Sequence, residues 1–279
     1  LNKQLTFSMS KMIITIIMAL LGIIFLLPFF WMISTSFKIE ADVFTYPIQW
    51  VPPTWNVIEN YTNVWSGDYP FVLYYWNSIK VTLTTTFTSV IVSALAAYSF
   101  ARINFKGKSV VFLLVLATFM VPTQAILVPQ FVLYRWLGLF DSHVGLILLG
   151  SFSVLGTFLL RQFFMGIHNE IIESAKIDGA NHLRIFRSMA VPLIRPGIAT
   201  YAILRFIWTW NDYQYPLIFI RSNEQFTIQL GLRRFADEFG SFYTLIMAGA
   251  VSAIVPLLII FIIGQKSVIE GIAGGSIKG

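Results

Sequence analysis

The stretch MIITIIMALLGIIFLLPFFWMIST, residues 12–35, holds no charged side chain. It exceeds the ~20 residues that a helix needs to cross a ~30 Å hydrocarbon layer. Five more apolar runs follow, at roughly 79–101, 109–129, 143–164, 197–219 and 243–264. The second is rich in Thr and Ser, Pro122 breaks the third, and Pro256 lies inside the sixth. In hydrocarbon every backbone N–H and C=O must be paired within the protein, which admits only helices or closed barrels. These runs are continuous rather than alternating in polarity, which argues against a barrel. Composition agrees: 57% of the residues are hydrophobic and 11% charged, where a soluble domain carries about 25% charged. The expected fold is an all-α membrane protein with six transmembrane helices. The first run is too long for a signal-peptide core and lacks a small-x-small cleavage site, so it reads as an uncleaved anchor.

Lys and Arg set the orientation, because cytoplasmic loops carry an excess of both. With the N-terminus inside, the inner segments hold Lys3, Lys11, Arg102, Lys106, Lys108, Arg161, Lys176, Arg184, Arg187, Arg195, Lys266 and Lys278, twelve of the 19 basic residues. The expected layout is N-in/C-in. Residues 1–11 form a cytoplasmic N-terminus, 12–265 the six-helix domain with an inner loop at 166–195, and 266–279 a cytoplasmic tail. The formal charge of +6 then belongs to inner loops and does not signal nucleic acid. Cysteine is absent, which excludes disulfides and thiolate chemistry. His143, His168 and His182 are scattered and no Walker-type glycine loop occurs, so neither a metal site nor a catalytic residue is assigned.

The inner loop NEIIESAKIDGANHLRIFRSMAVPLIRPG, residues 169–197, is polar and helix-forming. Asn169 can cap a first helix, with Glu170 and Glu173 at its positive end. Ile171, Ile172 and Ala175 share a face. Gly179 ends that helix in the left-handed conformation. Asn181 caps a second helix with an apolar stripe of Leu183, Phe186 and Ala190, and Pro192 and Pro196 stop it. Helices this short are marginal alone. Either they pack on their own membrane domain or the headgroup layer, or they dock into a cleft of a soluble partner.

This segment resembles the cytoplasmic coupling motif of ATP-binding-cassette importer permeases: Glu-Ala-Ala, then Asp-Gly-Ala, then a Phe and a Pro. Glu173, Ser174, Ala175, Asp178, Gly179, Ala180, Phe186 and Pro192 stand in register, with Ser174 in place of an alanine. ALAAYSFARINFKG (94–107), FMVPTQAILVPQFVLYRWLGLFDSHVGLIL (119–148), WTWNDYQYPL (208–217) and QKSVIEGIAGGSIKG (265–279) extend the likeness over nearly the whole chain. Ile167–His168 and Ser267–Val268 depart from the family pattern. The chain is similar to carbohydrate permeases of the maltose-transporter type, specifically the smaller of their two membrane subunits. The resemblance implies a type I importer permease fold with a coupling helix, in a bacterial cytoplasmic (inner) membrane. It implies a heterodimer with a second permease subunit, two ATPase subunits that hold ATP and Mg, and an extracytoplasmic solute-binding protein. The chain itself would bind no cofactor. The coupling loop would seat in an ATPase groove. The tail Gly274–Gly279, which alone reads as a frayed end, would enter the ATPase interface.

Arg205 lies about 13 Å into the fifth run, where a charge costs at least ~2.5–3.5 kcal/mol. It should face the bundle, either pairing with Asp212 or the partner permease, or meeting an anionic group on the substrate. Trp208, Trp210 and Tyr213 suit either an interfacial belt or a sugar path, where rings stack on C–H faces and Asn211 and Asp212 serve hydroxyls. In the outer loop 220–242, Arg233, Arg234, Asp237 and Glu238 read as a solvated face, and by resemblance as contacts to the binding protein. The function that follows is import of a sugar or oligosaccharide, including acidic ones. The alternatives are a permease for another polar solute such as a glycerophosphoester, and a secondary transporter.

Overall fold

The computed structural model describes residues 9–236 and 242–274, and every regular element among them is helical. In chain order these are α1 (Met9–Ser36), α2 (Val57–Ser66), α3 (Phe71–Arg102), α4 (Lys108–Thr118), α5 (Thr123–Trp136), α6 (His143–Ser151) and α7 (Val154–Met165). There follow α8 (Asn169–Ile177), α9 (His182–Ile185), α10 (Val191–Leu193), α11 (Arg195–Trp210), α12 (Gln214–Phe219), α13 (Ile228–Leu232) and α14 (Tyr243–Gly274).

Three helices are long and apolar enough to cross a membrane: Lys11–Ser36, Phe71–Arg102 and Tyr243–Lys266. The expected third and fourth spans are not straight, and a further bend lies just before the expected fifth. α4 meets α5 at 95°, α6 meets α7 at 43°, and His182–Leu193 meets α11 at 80°. Each bent pair counted as one span brings the total to six. The first break is the one Pro122 signals, since proline cannot continue the hydrogen-bond ladder of the preceding helix. The second comes from Ser153, whose hydroxyl accepts the Gly156 N–H at 3.0 Å and starts a new helix. Inside the expected fifth span, α11 stops at Trp210 and α12 resumes at Gln214.

The chain divides into two compact units. The first comprises residues up to Pro70 together with Leu232–Ile254. Its α1 exposes apolar side chains on every face, from Met12 to Phe30, as a helix surrounded by lipid or partner helices does. The segment after α1 is ordered by polar groups that fold back on it. Lys38, fully buried, donates to the Gln49 carbonyl at 2.6 Å and lies 4.2 Å from the Trp31 ring centre. Burial draws its pKa down, partly offset by Asp42. Asn60 of α2 donates to the carbonyls of Ser36 and Lys38. Both Glu40 oxygens accept backbone N–H groups of Tyr243 and Thr244 at 3.0 Å, satisfying orphan donors at the start of α14.

The second unit, Phe71–Gly231 with the remainder of α14, is organised by α3. One face of α3 carries Ser78, Thr82, Thr85, Ser89 and Ser93, all 2% exposed or less. Three- and four-residue spacing places them in one stripe, and α6, α7 and α11 pack on the same helix. Small side chains let helix backbones approach where no hydrophobic drive separates lipid from protein. The Tyr201 hydroxyl of α11 pairs with Ser89 at 2.7 Å.

Candidate functional site

Two regions of the second unit gather the sequence-predicted residues. The first is the turn between α8 and α9. Gly179 has φ +79°. Its N–H donates to Lys176 O at 3.0 Å and the Ala180 N–H to Ala175 O at 2.9 Å. That bond pair is a Schellman closure, which requires a left-handed residue at the Gly179 position. Asn181 caps α9 as expected, its side chain accepting the Arg184 N–H at 2.9 Å. Asn169 does not cap α8: His168 holds the cap position, and Asn169 opens the helix with its side-chain oxygen taken by Arg102.

The loop has two faces. Ile172, Ala175 and Ile185 are buried with Ala97, Tyr98, Leu160 and Phe164 of α3 and α7, and Ala180 and Phe186 pack against the same cluster. Phe186 sets its ring against Tyr98 at 5.2 Å. The backbone winds more loosely over Phe186–Ala190, as π-helical turns, and half-buried Pro192 follows in α10. Glu173, Ser174, Asp178 and Gly179 face outward. Beside the turn Ile177 and Leu183 stand 86% and 69% exposed. The chain anchors this joint on itself and presents an apolar tip flanked by charge.

The second region is a cavity of about 430 Å³ within the second unit, of ordinary size for a small-molecule site. α3 contributes Ser78, Thr82 and Thr85, α6 contributes Gly150, and α11 contributes Arg205, Trp208 and Thr209, with Asp212 and Tyr215 beyond it. Arg205 donates to the Gly150 carbonyl. A Cβ at Gly150 would come within 2.3 Å of Thr85 Cγ2 and 2.5 Å of Arg205 Nη2, so the contact needs glycine. The Thr85, Thr209 and Thr227 hydroxyls and Arg205 Nε are buried just behind this wall without hydrogen-bond partners. Buried polar groups are usually hydrogen-bonded. Asp212 accepts the Tyr215 N–H at 3.2 Å at the head of α12.

The other path residues lie apart from this wall. Trp210 is 1% exposed, stacked on Phe206 at 5.9 Å and edge-on to Tyr75. Asn211 donates back to Ile207 O at 2.9 Å, and Tyr213 is half exposed. Arg233 is exposed and Arg234 half-buried in a short 3₁₀ turn of the first unit, both engaged by neighbours. Asp237, Glu238 and the tail from Ser276 lie outside the described residues, and of Gly274 and Gly275 only the former is reached.

Sequence reasoning missed two polar ties. Arg102 at the end of α3 makes four hydrogen bonds to three groups around the α7–α8 junction, the Phe164 and Ile167 carbonyls and the Asn169 side chain. Asp141, at φ +56°, accepts the N–H groups of Arg221 and Ser222, each at 2.9 Å, and the Ser222 hydroxyl. Burial pushes the Asp141 carboxyl up, but these bonds outweigh it and hold it below the ordinary carboxylate range. The Thr/Ser spacing of α3 was the one signal that could have placed Ser78, Thr82 and Thr85 in the cavity wall.

Known proteins resemble this chain over nearly its whole length. The family described as "Binding-protein-dependent transport system inner membrane component" matches residues 89–269. The chain is 32% identical over 274 residues to the arabinooligosaccharides transport system permease protein of Bacillus subtilis, covering 98% of each. It is 32% identical over 269 residues to the galactooligosaccharides transport system permease protein of the same organism, covering 95% of this chain and 94% of the relative. Its fold matches a chain from the crystal structure of a bacterial ABC transporter involved in the import of the acidic polysaccharide alginate. The TM-score is 0.80 at 28% identity, over 93% of this chain and 98% of that one.

Proposed function

Since the chain belongs to the family of binding-protein-dependent transport system inner membrane components, we propose that it is the permease subunit of an ATP-driven importer of a sugar or oligosaccharide. It crosses a bacterial inner membrane six times with both termini in the cytoplasm. A second, different permease pairs with it, two ATPase subunits hold ATP and Mg beneath it, and a solute-binding protein delivers cargo on the outer side. The loop bearing Arg233, Arg234, Asp237 and Glu238 meets that binding protein, and the tail 274–279 enters the ATPase interface.

The observation that carries this reading is the two-faced joint at Gly179. Its inner face is fixed to α3 and α7, and its apex exposes Ile177 and Leu183. A tip anchored on one side and apolar on the other suits insertion into a groove, as an amphipathic helix does. Glu173, Ser174 and Asp178 supply the polar rim of that contact, while Ala175, Ala180, Phe186 and Pro192 hold it to the membrane helices. When the ATPases close on ATP, the groove carries the tip with it, and the anchored face passes the displacement to α7 and α11.

A sugar is supported by the names of the relatives and by the chemistry of the cavity. The lining includes Thr82, Thr123, Gln214 and Asp212, residue types that pair with hydroxyls, and Trp208 at the wall offers a ring face. A second reading, an acidic oligosaccharide, is favoured by Arg205, whose Nε has no partner and whose fork suits a carboxylate. Asp212 in the same wall offsets part of that charge. Co-purification with the ATPase, followed by uptake into proteoliposomes of binding-protein-delivered neutral and acidic oligosaccharides, tests the reading. ATP-dependent uptake is expected. A chain that purifies alone and transports on a proton or sodium gradient overturns it.

A further inference from the structure

The end of α3 and the start of α8 share one side chain. The Arg102 Nε donates to Phe164 O at 2.9 Å, and Nη2 donates to the same oxygen at 2.6 Å and to Ile167 O. Nη1 donates to the Asn169 side-chain oxygen at 2.5 Å. Phe164 and Ile167 bracket the C-terminus of α7, where the helix dipole is negative and the Phe164 carbonyl also accepts the Ile167 N–H at 3.3 Å. The planar five-donor guanidinium can satisfy several such acceptors at once, which a lysine ammonium on a flexible stem does not do in fixed geometry. A second arginine works in the opposite sense. Arg161 of α7 donates to Phe100 O near the end of α3 at 3.3 Å and lies 4.3 Å from the Phe112 ring centre in α4.

These bonds join three elements that apolar packing alone would let slide. Between α3 and α7 the contact is Tyr98, Leu160 and Phe164 with small neighbours such as Ala94 and Ala97, and such packing is non-directional. Charge-assisted bonds to fixed carbonyls hold register. We propose that Arg102 is the positioning residue that locks α3 and α7 to the coupling helix α8, so that displacement of the loop moves α3, and the cavity wall it carries, as one body. This rests on the coupling reading above. Arg102 touches no solute; it acts through Phe164, Ile167 and Asn169.

The test uses the assembled transporter in proteoliposomes and reads solute transported per ATP hydrolysed, with ATPase co-purification as the assembly control. Arg102→Lys keeps the charge and loses the fork. Asn169→Ala cuts only the tie to α8 and leaves the carbonyl contacts in place, so it remains informative if Arg102 variants do not assemble. Both are expected to co-purify with the ATPase and to lower solute per ATP about tenfold, with ATP hydrolysis retained. Because the chain has no cysteine, spin labels on cysteines introduced into it at exposed Lys106 and Glu170 report the tie directly. The distance distribution should broaden in both variants. Unchanged solute per ATP and an unchanged distribution overturn the proposal. Failure of the coupling reading shows separately: Ile177→Asp would then leave ATPase co-purification intact.

Discussion

Gly179 is the sharpest place to test how the joint works. Its φ of +79° lies in the left-handed region, and a Cβ built there meets nothing within 4 Å. Any penalty on substitution is therefore backbone strain and not a clash. Alanine in that region costs roughly 1–2 kcal/mol, and asparagine less, because its side chain tolerates the conformation. Proline fixes φ near −65° and removes the N–H, so it also forfeits the bond to Lys176 O, worth about 1 kcal/mol, and the turn must be rebuilt. At about 1.4 kcal/mol per tenfold change in population, the expected order of solute transported per ATP is asparagine near wild type, alanine reduced about five- to thirtyfold, and proline uncoupled. The assay is uptake and phosphate release measured together on reconstituted complex, with ATPase stoichiometry checked on gels. Wild-type coupling in Gly179→Pro would refute the reasoning. So would Gly179→Asn as damaging as Gly179→Ala, since backbone conformation would then not be the cause.

Three other outcomes follow from the geometry. Ile177→Asp and Leu183→Asp place charge on side chains that stand 86% and 69% exposed, so the chain should fold and insert normally while ATPase co-purification falls at least tenfold. Arg205→Gln removes the cation from the cavity wall and should lower uptake of acidic oligosaccharides at least fivefold relative to neutral ones; equal losses for both would leave Arg205 a packing residue on Gly150. Asp141→Asn should destabilise the detergent-solubilised protein by about 1–2 kcal/mol near pH 7, the range for charged hydrogen bonds discounted for partial exposure. Because the folded Asp141 carboxyl is held low, its contribution is full above the unfolded value near 3.9. It fades as pH falls through the folded value. The gap between the two proteins in thermal unfolding should narrow as pH falls below the unfolded value and close below the folded one, and a gap independent of pH would count against the assignment.

Much of the joint was legible in residues 169–197. Glycine after a short amphipathic run, then asparagine, specifies a helix stop and a helix start through local backbone chemistry, and Gly179 and Asn181 do what such spacing requires. Asn169 shows the limit of that logic. Its capping propensity is local, but Arg102, 67 residues earlier, takes its oxygen. Trp210 and Trp208 illustrate the same limit in the cavity. Two residues apart on one helix they face different surroundings, one in an aromatic core with Phe206 and Tyr75, the other at the cavity wall.

The sequence by itself determined that this chain lives in a bilayer as helices. Long uncharged runs leave the backbone no other way to pair its polar groups. It also determined the left-handed turn at Gly179, because that requirement is carried by a single residue type. Only the tertiary structure decided that the third and fourth runs bend and the fifth is interrupted after Trp210, that α3 is the seam on which α6, α7 and α11 close, and that Arg205, Asp212 and five threonines surround one space. Those outcomes depend on which helix faces meet. Contacts between residues far apart in sequence are set by packing across the whole unit, and no local pattern encodes them.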